Sequence, residues 1–165
     1  LGAELELEFV GPDQFANEKI HEFTGINLDK LDIEIDRYEP DASILKPQAG
    51  KLTQAYPEVS ERLFSRLLKS NCPVTDQPDW ACIQIEYTGP AIDHASLLKY
   101  IVSYRMHNGF HEHCVEKIFI DIHKQCAPSS LSVYARYTRR GGLDINPWRA
   151  TLDAEPPFGG RSARQ

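Results

Sequence analysis

A cysteine in an acidic, proline-containing loop is the residue of this sequence best suited to covalent chemistry. Cys72 opens a loop whose residues 73–79 include two prolines and two acids, and an apolar stretch begins at Trp80. A thiolate is a strong nucleophile, and a nearby carboxyl group can move the proton that the attacked group needs. The loop therefore indicates a ligand site at Cys72. Asp79 taken by itself is more typical of a turn or a cap, because Asp bonds local backbone groups well.

A histidine and a glutamate stand together further along the chain. His111 and Glu112 follow Gly109 at the expected start of a helix. The helix dipole favours a carboxylate in that first turn, and histidine titrates near neutral pH. His107, His111 and Cys114 also recur at a helical spacing that zinc ligands use. Because Gly109 breaks the helix between them, we predict no metal site.

Four arginines form a basic cluster in the last third of the sequence. Arginine is suited to bidentate phosphate binding, and a glycine beside it lets a backbone amide come close to an anion. The cluster indicates a site for a phosphorylated small molecule, or otherwise a solvated strand end. It comprises Arg136, Arg139, Arg140 and Arg149, with Gly141 after Arg140 and Asp144 as the one acid inside it.

The composition is typical of a globular protein. The 165 residues are 41% hydrophobic and 25% charged, with a net charge of -6, which fits one domain or one domain with part of another. Residues 1–40 hold eleven acids and three bases, and this acidic segment argues against direct nucleic-acid binding. The apolar runs fall short of the roughly 18 residues of a membrane span. We therefore expect a cytoplasmic protein with free thiols.

Hydrophobic periodicity predicts an α+β fold. Apolar stripes at helical spacing predict one helix capped by Asp93 and ending near Asn108, and a second helix ending before Pro128. From residue 58 onward the expected order is strand, strand, helix, helix, strand, strand. This order predicts a four-stranded antiparallel sheet with both helices on one face. Period-two alternation predicts strands at residues 3–9, 31–36 and 131–137. Residues 59–70 and 80–87 are expected to form a hairpin around the Cys72 loop, and a last strand contains Leu143, Ile145 and Trp148.

Several strings of residues resemble one known family. They are similar to the NADPH-dependent 7-cyano-7-deazaguanine reductases, the nitrile reductases of queuosine biosynthesis, in the tunnelling-fold (T-fold) superfamily. The resemblance implies a T-fold in which residues 51–165 are the catalytic module. Residues 1–50 would be the remnant of a first T-fold module plus a linker. The strings that carry the resemblance are Leu68–Cys72, Gln77–Trp80, Phe110–Glu112 and Tyr134–Arg149.

The resemblance also implies a reaction and a role for each site residue. In the family, NADPH reduces the nitrile 7-cyano-7-deazaguanine to 7-aminomethyl-7-deazaguanine through a covalent cysteine thioimide. The partners it implies are this small molecule and further copies of the same chain, so we expect a homo-oligomer without direct nucleic-acid contact. The implied residues are Cys72 and Asp79 for catalysis, His111 and Glu112 for the substrate, and Arg140 and Gly141 for NADPH.

Two other functions fit the same sequence. One is another T-fold enzyme acting on a pterin or a purine, in which a glutamate also anchors the ring but a metal or a different acid and base does the chemistry. The other is a non-catalytic binding module, because the Glu-Ser-Lys-Ser signature that the family uses for NADPH and substrate is absent from these residues. Capture of the nitrile by Cys72 distinguishes the reductase from both.

Overall fold

The computed structural model describes residues 5–17, 19–48, 58–151, 154, 157 and 159–165. Within these residues one five-stranded sheet and two helices form the framework. The strands are β1 (Ile26–Asn27), β2 (Glu58–Asn71), β3 (Pro78–Pro90), β4 (Ser130–Tyr137) and β5 (Trp148–Ala150), and they lie in this order across the sheet. The helices, α1 (His94–Val102) and α2 (His111–Cys126), both lie between β3 and β4 in the chain.

The sheet has five strands instead of the four expected from the sequence. The additional strand, β1, is two residues long and runs parallel to β2, opposite Leu63 and Phe64, whereas the other neighbouring pairs are antiparallel. Gly25 allows this close approach, because its φ is +116° and a Cβ there would overlap the carbonyl oxygen of Arg62. Two residues are too few for an alternating pattern to reveal a strand.

Two strands expected in the first forty residues are wrong. Residues 5–9 and 31–36 form no strand, and residues 3 and 4 lie outside the described part of the chain. The apolar side chains of residues 5–9 are exposed, so their alternation faces no apolar surface. Ile33 and Ile35 do pack against the core, but their backbone pairs with no neighbouring strand. The module boundary expected at residue 50 also lies outside the described residues and stays a prediction.

The last strand is shorter than expected. β5 contains Trp148, but Leu143 only bridges to Arg140 and Ile145 is not in a strand. Pro147 has no N–H to donate to a ladder, which explains why the strand begins after it.

The core lies between one face of the sheet and the two helices. Asp93 caps α1 as expected, since its carboxylate accepts a hydrogen bond of 2.7 Å from the backbone N–H of Ser96. The α2 helix ends before Pro128, also as expected. Apolar side chains of both helices and of β2, β3 and β4 belong to one cluster, among them Leu63, Leu68, Ile83, Ile85, Leu97, Ile101, Ile118, Ile122 and Val133.

A β-bulge in β2 determines which side chains meet at the end of the β2–β3 hairpin. β2 advances three residues, from Ser65 to Leu68, while β3 advances two. One extra residue moves the following side chains of β2 to opposite faces. The carboxylate of Asp29 holds the bulge by accepting a 2.7 Å hydrogen bond from the Ser65 hydroxyl. Beyond the bulge, Ser70 is buried and pairs with Asp79.

Candidate active site

The loop between β2 and β3 holds Cys72 in a hydrogen-bonded turn. The N–H of Cys72 donates to the carbonyl oxygen of Gln77, and the N–H of Asp76 donates to the carbonyl oxygen of Cys72, both at 2.9 Å. Asp76 adopts a φ of +56°, which Asp tolerates better than most residues. Its carboxylate accepts a hydrogen bond of 3.0 Å from the Asn108 side chain. These bonds fix Cys72, which is only 6% exposed, at the end of the hairpin.

The surroundings of Cys72 favour the thiolate. Hydrogen bonds from the Thr75 hydroxyl, the Arg140 guanidinium and the backbone N–H groups of Thr75 and Val74 lower the pKa of the Cys72 thiol to about 6. For the other three cysteines, burial raises the pKa of the thiol. Cys72 is therefore the cysteine whose surroundings most favour the thiolate, and all four cysteines are free, as expected.

Asp79 is the buried carboxylate of the site. It lies near the start of β3 and is 2% exposed. His111 Nε2 lies 3.1 Å from one of its carboxylate oxygens, and Arg140 Nε lies 3.3 Å from the other. A buried carboxylate is stable when charged or polar partners compensate for the lost hydration. The structure thus brings together a thiol, a carboxylate, an imidazole and a guanidinium.

The start of α2 reaches the hairpin through the connection that precedes it. Asn71, the last residue of β2, accepts a hydrogen bond from Gly109 N–H at 3.0 Å and donates one to the His107 carbonyl oxygen at 2.8 Å. This pairing places His111, the first residue of α2, beside Asp79. His111 is 5% exposed, and no hydrogen-bond partner for its Nδ1 exists among the described residues. A buried nitrogen without a partner is unusual and suits a ligand contact.

The ring of Tyr137 stacks against the imidazole of His111, and the sequence did not predict this contact. The two rings stack in parallel, with centroids 3.9 Å apart and an angle of 6° between the planes. Tyr137 is fully buried, its hydroxyl lies beside Ser70 and Cys114, and burial raises its pKa. The alternation of β4 predicts that Tyr137 is buried, but no sequence signal pairs it with a residue 26 positions earlier.

Arg140 and Gly141 lie in a tight turn after β4. Arg140 and Leu143 exchange two backbone hydrogen bonds of 3.0 Å. Gly141 and Gly142 between them have φ values of +57° and +83°, as a type I′ turn requires. The Arg140 guanidinium points back to the hairpin, where it donates to Thr75 Oγ1 at 3.0 Å and Gln77 Oε1 at 2.8 Å.

Glu112 stands apart from the buried groups. It lies in the first turn of α2, directly after His111, and it is exposed. The structure therefore leaves this carboxylate open to solvent. The groups that it brings together are the buried Cys72, Asp79 and His111 and the partly exposed Arg140.

The arginine cluster expected to receive a phosphate is divided among separate protein partners. Arg136 is buried, and its guanidinium lies 4.6 Å from the centre of the Phe23 ring. Arg139 lies 3.6 Å from Asp144, and Arg149 lies 2.9 Å from Glu116. Each of these three arginines thus has a protein partner of its own, and the phosphate site stays a prediction. The Gly141–Gly142 turn is exposed, and a Cβ at either glycine would meet no atom within 4 Å, so its backbone is open to an approaching anion.

The described residues also bear on metal binding and membrane insertion. No group of three or more His, Cys, Asp or Glu side chains there is arranged to hold a metal ion. His107 and Cys114, two of the three residues considered as metal ligands, instead flank Gly109: a Cβ at Gly109 would lie 2.9 Å from His107 Nε2 and 3.2 Å from Cys114 Sγ. None of the described helices has the length and apolarity required to cross a membrane.

The chain is similar in sequence to a known protein family and to curated enzymes. The QueF-like protein family matches residues 78–156. The NADPH-dependent 7-cyano-7-deazaguanine reductases of Bordetella pertussis and Paraburkholderia phymatum are 57% and 56% identical to it over 164 residues, which is 99% of this chain and 58% of each relative. The chain thus spans somewhat more than half the length of these curated relatives.

A solved structure supports the fold. The crystal structure of the archaeosine synthase QueF-Like in its apo form superposes with a TM-score of 0.52 at 15% identity, covering 62% of this chain and all of that one. This likeness confirms the expected α+β class and supports the T-fold. By sequence, the chain is similar over almost its whole length to curated 7-cyano-7-deazaguanine reductases, and its second half matches the QueF-like protein family.

Proposed function

We propose that the protein reduces 7-cyano-7-deazaguanine to 7-aminomethyl-7-deazaguanine with NADPH, in the biosynthesis of the modified tRNA nucleoside queuosine. The observation that carries the proposal is that Arg140 lies against the buried Asp79 carboxylate and hydrogen-bonds the loop that begins at Cys72, so the thiol and the carboxylate share one site. The names and high identity of the relatives support the choice of nitrile and cofactor.

The first step is attack by sulfur on the nitrile carbon. The Cys72 thiolate forms an S–C bond, one π bond of the C≡N group breaks, and the nitrogen takes up a proton to give a thioimide. Asp79 delivers that proton, which it can first accept from the thiol. The thioimide C=N accepts hydride more readily than the nitrile, so attack by Cys72 replaces one difficult step with easier ones.

Reduction then takes four electrons in two stages. Bound NADPH supplies each hydride. After the first, the tetrahedral adduct on Cys72 collapses, the C–S bond breaks, and thiolate and imine separate. The second hydride and a proton convert the imine to the primary amine. Cys72 is a thiolate before the attack and a thiolate again after the C–S bond breaks, and its low pKa favours its departure.

The exposed Glu112 anchors the heterocycle in this proposal. A carboxylate accepts two parallel hydrogen bonds from the ring N–H and exocyclic amine of a guanine-like base. Glu112 is accessible, and neighbouring His111 has a buried Nδ1 free to bond the substrate. The two residues would thus hold the base while its nitrile points towards Cys72.

The described residues fit one part of a cofactor site. We propose that the open backbone at Gly141 approaches a phosphate of NADPH, with Arg140 supplying positive charge beside it. The relatives are longer than this chain, and we propose that the remaining contacts come from that additional length. In this scheme residues 51–165 form the catalytic module and residues 1–50 the remnant of a first module with its linker.

We further propose a cytoplasmic homo-oligomer that binds no nucleic acid directly. The sheet ends in β1 and β5, strands of two and three residues. Exposed sheet edges favour pairing with another chain, and assembly of T-fold sheets into barrels covers such edges.

Intact-mass spectrometry after exposure to the nitrile tests the reaction. Because addition expels no leaving group, we expect the mass to increase by that of the whole nitrile, and peptide mapping to place the adduct on Cys72. The Cys72→Ala variant is the control, and it should fold and form no adduct. A folded wild-type protein that gains no mass, or an adduct that persists in Cys72→Ala, would overturn the proposal.

A further inference from the structure

Arg140 contacts both catalytic candidates and the loop between them, although it follows β4 and lies far from them in the chain. Its guanidinium extends from the turn after β4 to the β2–β3 loop, and it contacts two loop side chains, Thr75 and Gln77. It also hydrogen-bonds the Cys72 sulfur and lies 3.3 Å from the Asp79 carboxylate. One cation is therefore shared by the nucleophile, the buried acid and the loop that holds the nucleophile.

The geometry of arginine suits this arrangement. A guanidinium has five N–H donors in a rigid plane, whereas the lysine ammonium is a compact charge on a flexible stem. Nη2 of Arg140 donates to both loop side chains, and Nε faces Asp79. A cation at hydrogen-bond distance favours a thiolate over a thiol. The same contacts fix the direction of the carboxylate relative to the sulfur.

We propose that Arg140 is a positioning residue of the reaction, which keeps Cys72 ionised and holds Asp79 beside it. This inference deepens the proposed function and rests on it for the part that Cys72 plays in attack. When the S–C bond forms, the sulfur loses its negative charge and Asp79 becomes the remaining anionic partner of Arg140. The guanidinium thus stays compensated while the proton moves to the substrate nitrogen.

Other charged groups near the sulfur do not account for its ionisation. Asp79 from β3 and Asp76 from the same loop are acids, which oppose a second negative charge. His111 from α2 is directed at Asp79. Among the described charged side chains, Arg140 is the one whose hydrogen bond lowers the pKa of Cys72, together with the uncharged donors of Val74 and Thr75.

The pH dependence of Cys72 alkylation tests the proposal without nitrile or NADPH. We would treat the protein with iodoacetamide between pH 4.5 and about 9 and quantify the Cys72 peptide by mass spectrometry. In the wild type, the rate should rise with a midpoint near pH 6. Arg140→Gln should move the midpoint up by about one pH unit, because Arg140 is one of several hydrogen-bond donors that lower the pKa of Cys72. Below both midpoints, the rate should fall by roughly tenfold.

Matched variants separate positioning from general damage. Arg139→Gln removes a neighbouring arginine that pairs with Asp144, and it should keep the wild-type midpoint. Asp79→Asn should also move the midpoint, because it removes the group that exchanges a proton with Cys72 and contacts Arg140. A folded Arg140→Gln protein with the wild-type midpoint would overturn the proposal. If Arg140→Gln does not fold, Asp79→Asn decides, and an unmoved midpoint there would overturn it equally.

The outcome is independent of the reductase proposal. A midpoint that depends on Arg140 in a protein that fails to capture the nitrile would refute the proposed reaction and leave the role of Arg140 at the thiol intact. Nitrile capture with a midpoint insensitive to Arg140 would support the proposed reaction and refute the role of Arg140.

Discussion

Replacing Tyr137 tests whether a buried ring holds His111 in place. Tyr137→Leu removes the ring that stacks 3.9 Å from the imidazole. An aromatic pair contributes about 0.5–1.5 kcal/mol beyond its buried area, which corresponds to roughly a two- to twelvefold change in an equilibrium. If that energy maintains the orientation of His111, we expect the rate of nitrile capture to fall by about the same factor.

The same substitution should also destabilise the core, and the two effects can be separated. A large-to-small change at this fully buried position costs about 2–4 kcal/mol. For a domain of this size that is a decrease of roughly 4–16 °C in Tm. Tyr137→Phe is the control: it keeps the ring, removes a buried hydroxyl that has no hydrogen-bond partner among the described residues, and should capture the nitrile within about twofold of the wild type.

The assay is rapid mixing with the nitrile at several concentrations, with thermal unfolding followed by circular dichroism. A positioning role predicts a lower capture rate at saturating nitrile at temperatures where both variants are folded. Wild-type capture by folded Tyr137→Leu would refute the reasoning. Equal losses in the Leu and Phe variants would show that the hydroxyl matters and the stacking does not.

Two carboxylates give further predictions. Glu112→Gln should raise the KM for the nitrile by roughly 10- to 100-fold, because hydrogen bonds to a charged group are worth about 1.5–3 kcal/mol. Glu116→Gln is the control, because Glu116 lies on the same helix but pairs with Arg149, and it should leave the KM unchanged. Equal KM values in both variants would contradict the anchoring role of Glu112. Asp79→Asn should slow nitrile capture by about 10²–10⁴-fold through loss of proton transfer, measured by thioimide absorbance. Asp76→Asn, on the neighbouring loop, should capture the nitrile at a rate within a few-fold of the wild type. Rapid capture by Asp79→Asn would exclude Asp79 as the proton donor.

The longest elements could be predicted because their signals are local. Ile83 to Tyr87 alternate apolar and polar side chains, and they lie within the observed strand β3. The strand expected at residues 59–70 is also observed, and β2 extends this range by one residue at each end. The cap at Asp93 depends on a side chain bonding an amide three residues away, so a short stretch of sequence contains it. Burial of one helix stripe follows from spacing alone in the same way.

Elements that depend on distant partners could not be predicted. The alternation of residues 31–36 is genuine, since Ile33 and Ile35 pack inward, but a strand also needs a neighbour with unpaired backbone groups. The two residues of β1 find such a neighbour in β2 because Gly25 permits the approach. Neither fact is encoded in the local pattern.

The candidate site shows the same division. Cys72 could be identified from residue type and loop context, and the family resemblance led to Asp79, His111 and Glu112. The contacts that give these residues their chemistry are long-range: Arg140 lies 65 positions from Thr75 in the chain. The β2 bulge sets the register at Ser70 and Asp79, and no sequence signal predicts a bulge there.

A crystal structure of the protein soaked with 7-cyano-7-deazaguanine tests the central claim most directly. The account predicts continuous density between Cys72 Sγ and the former nitrile carbon, with the thioimide nitrogen within hydrogen-bond distance of Asp79 and the base edge against Glu112. An intact nitrile bound elsewhere, or bound in this site with the Cys72 sulfur unmodified in fully active crystals, would contradict it.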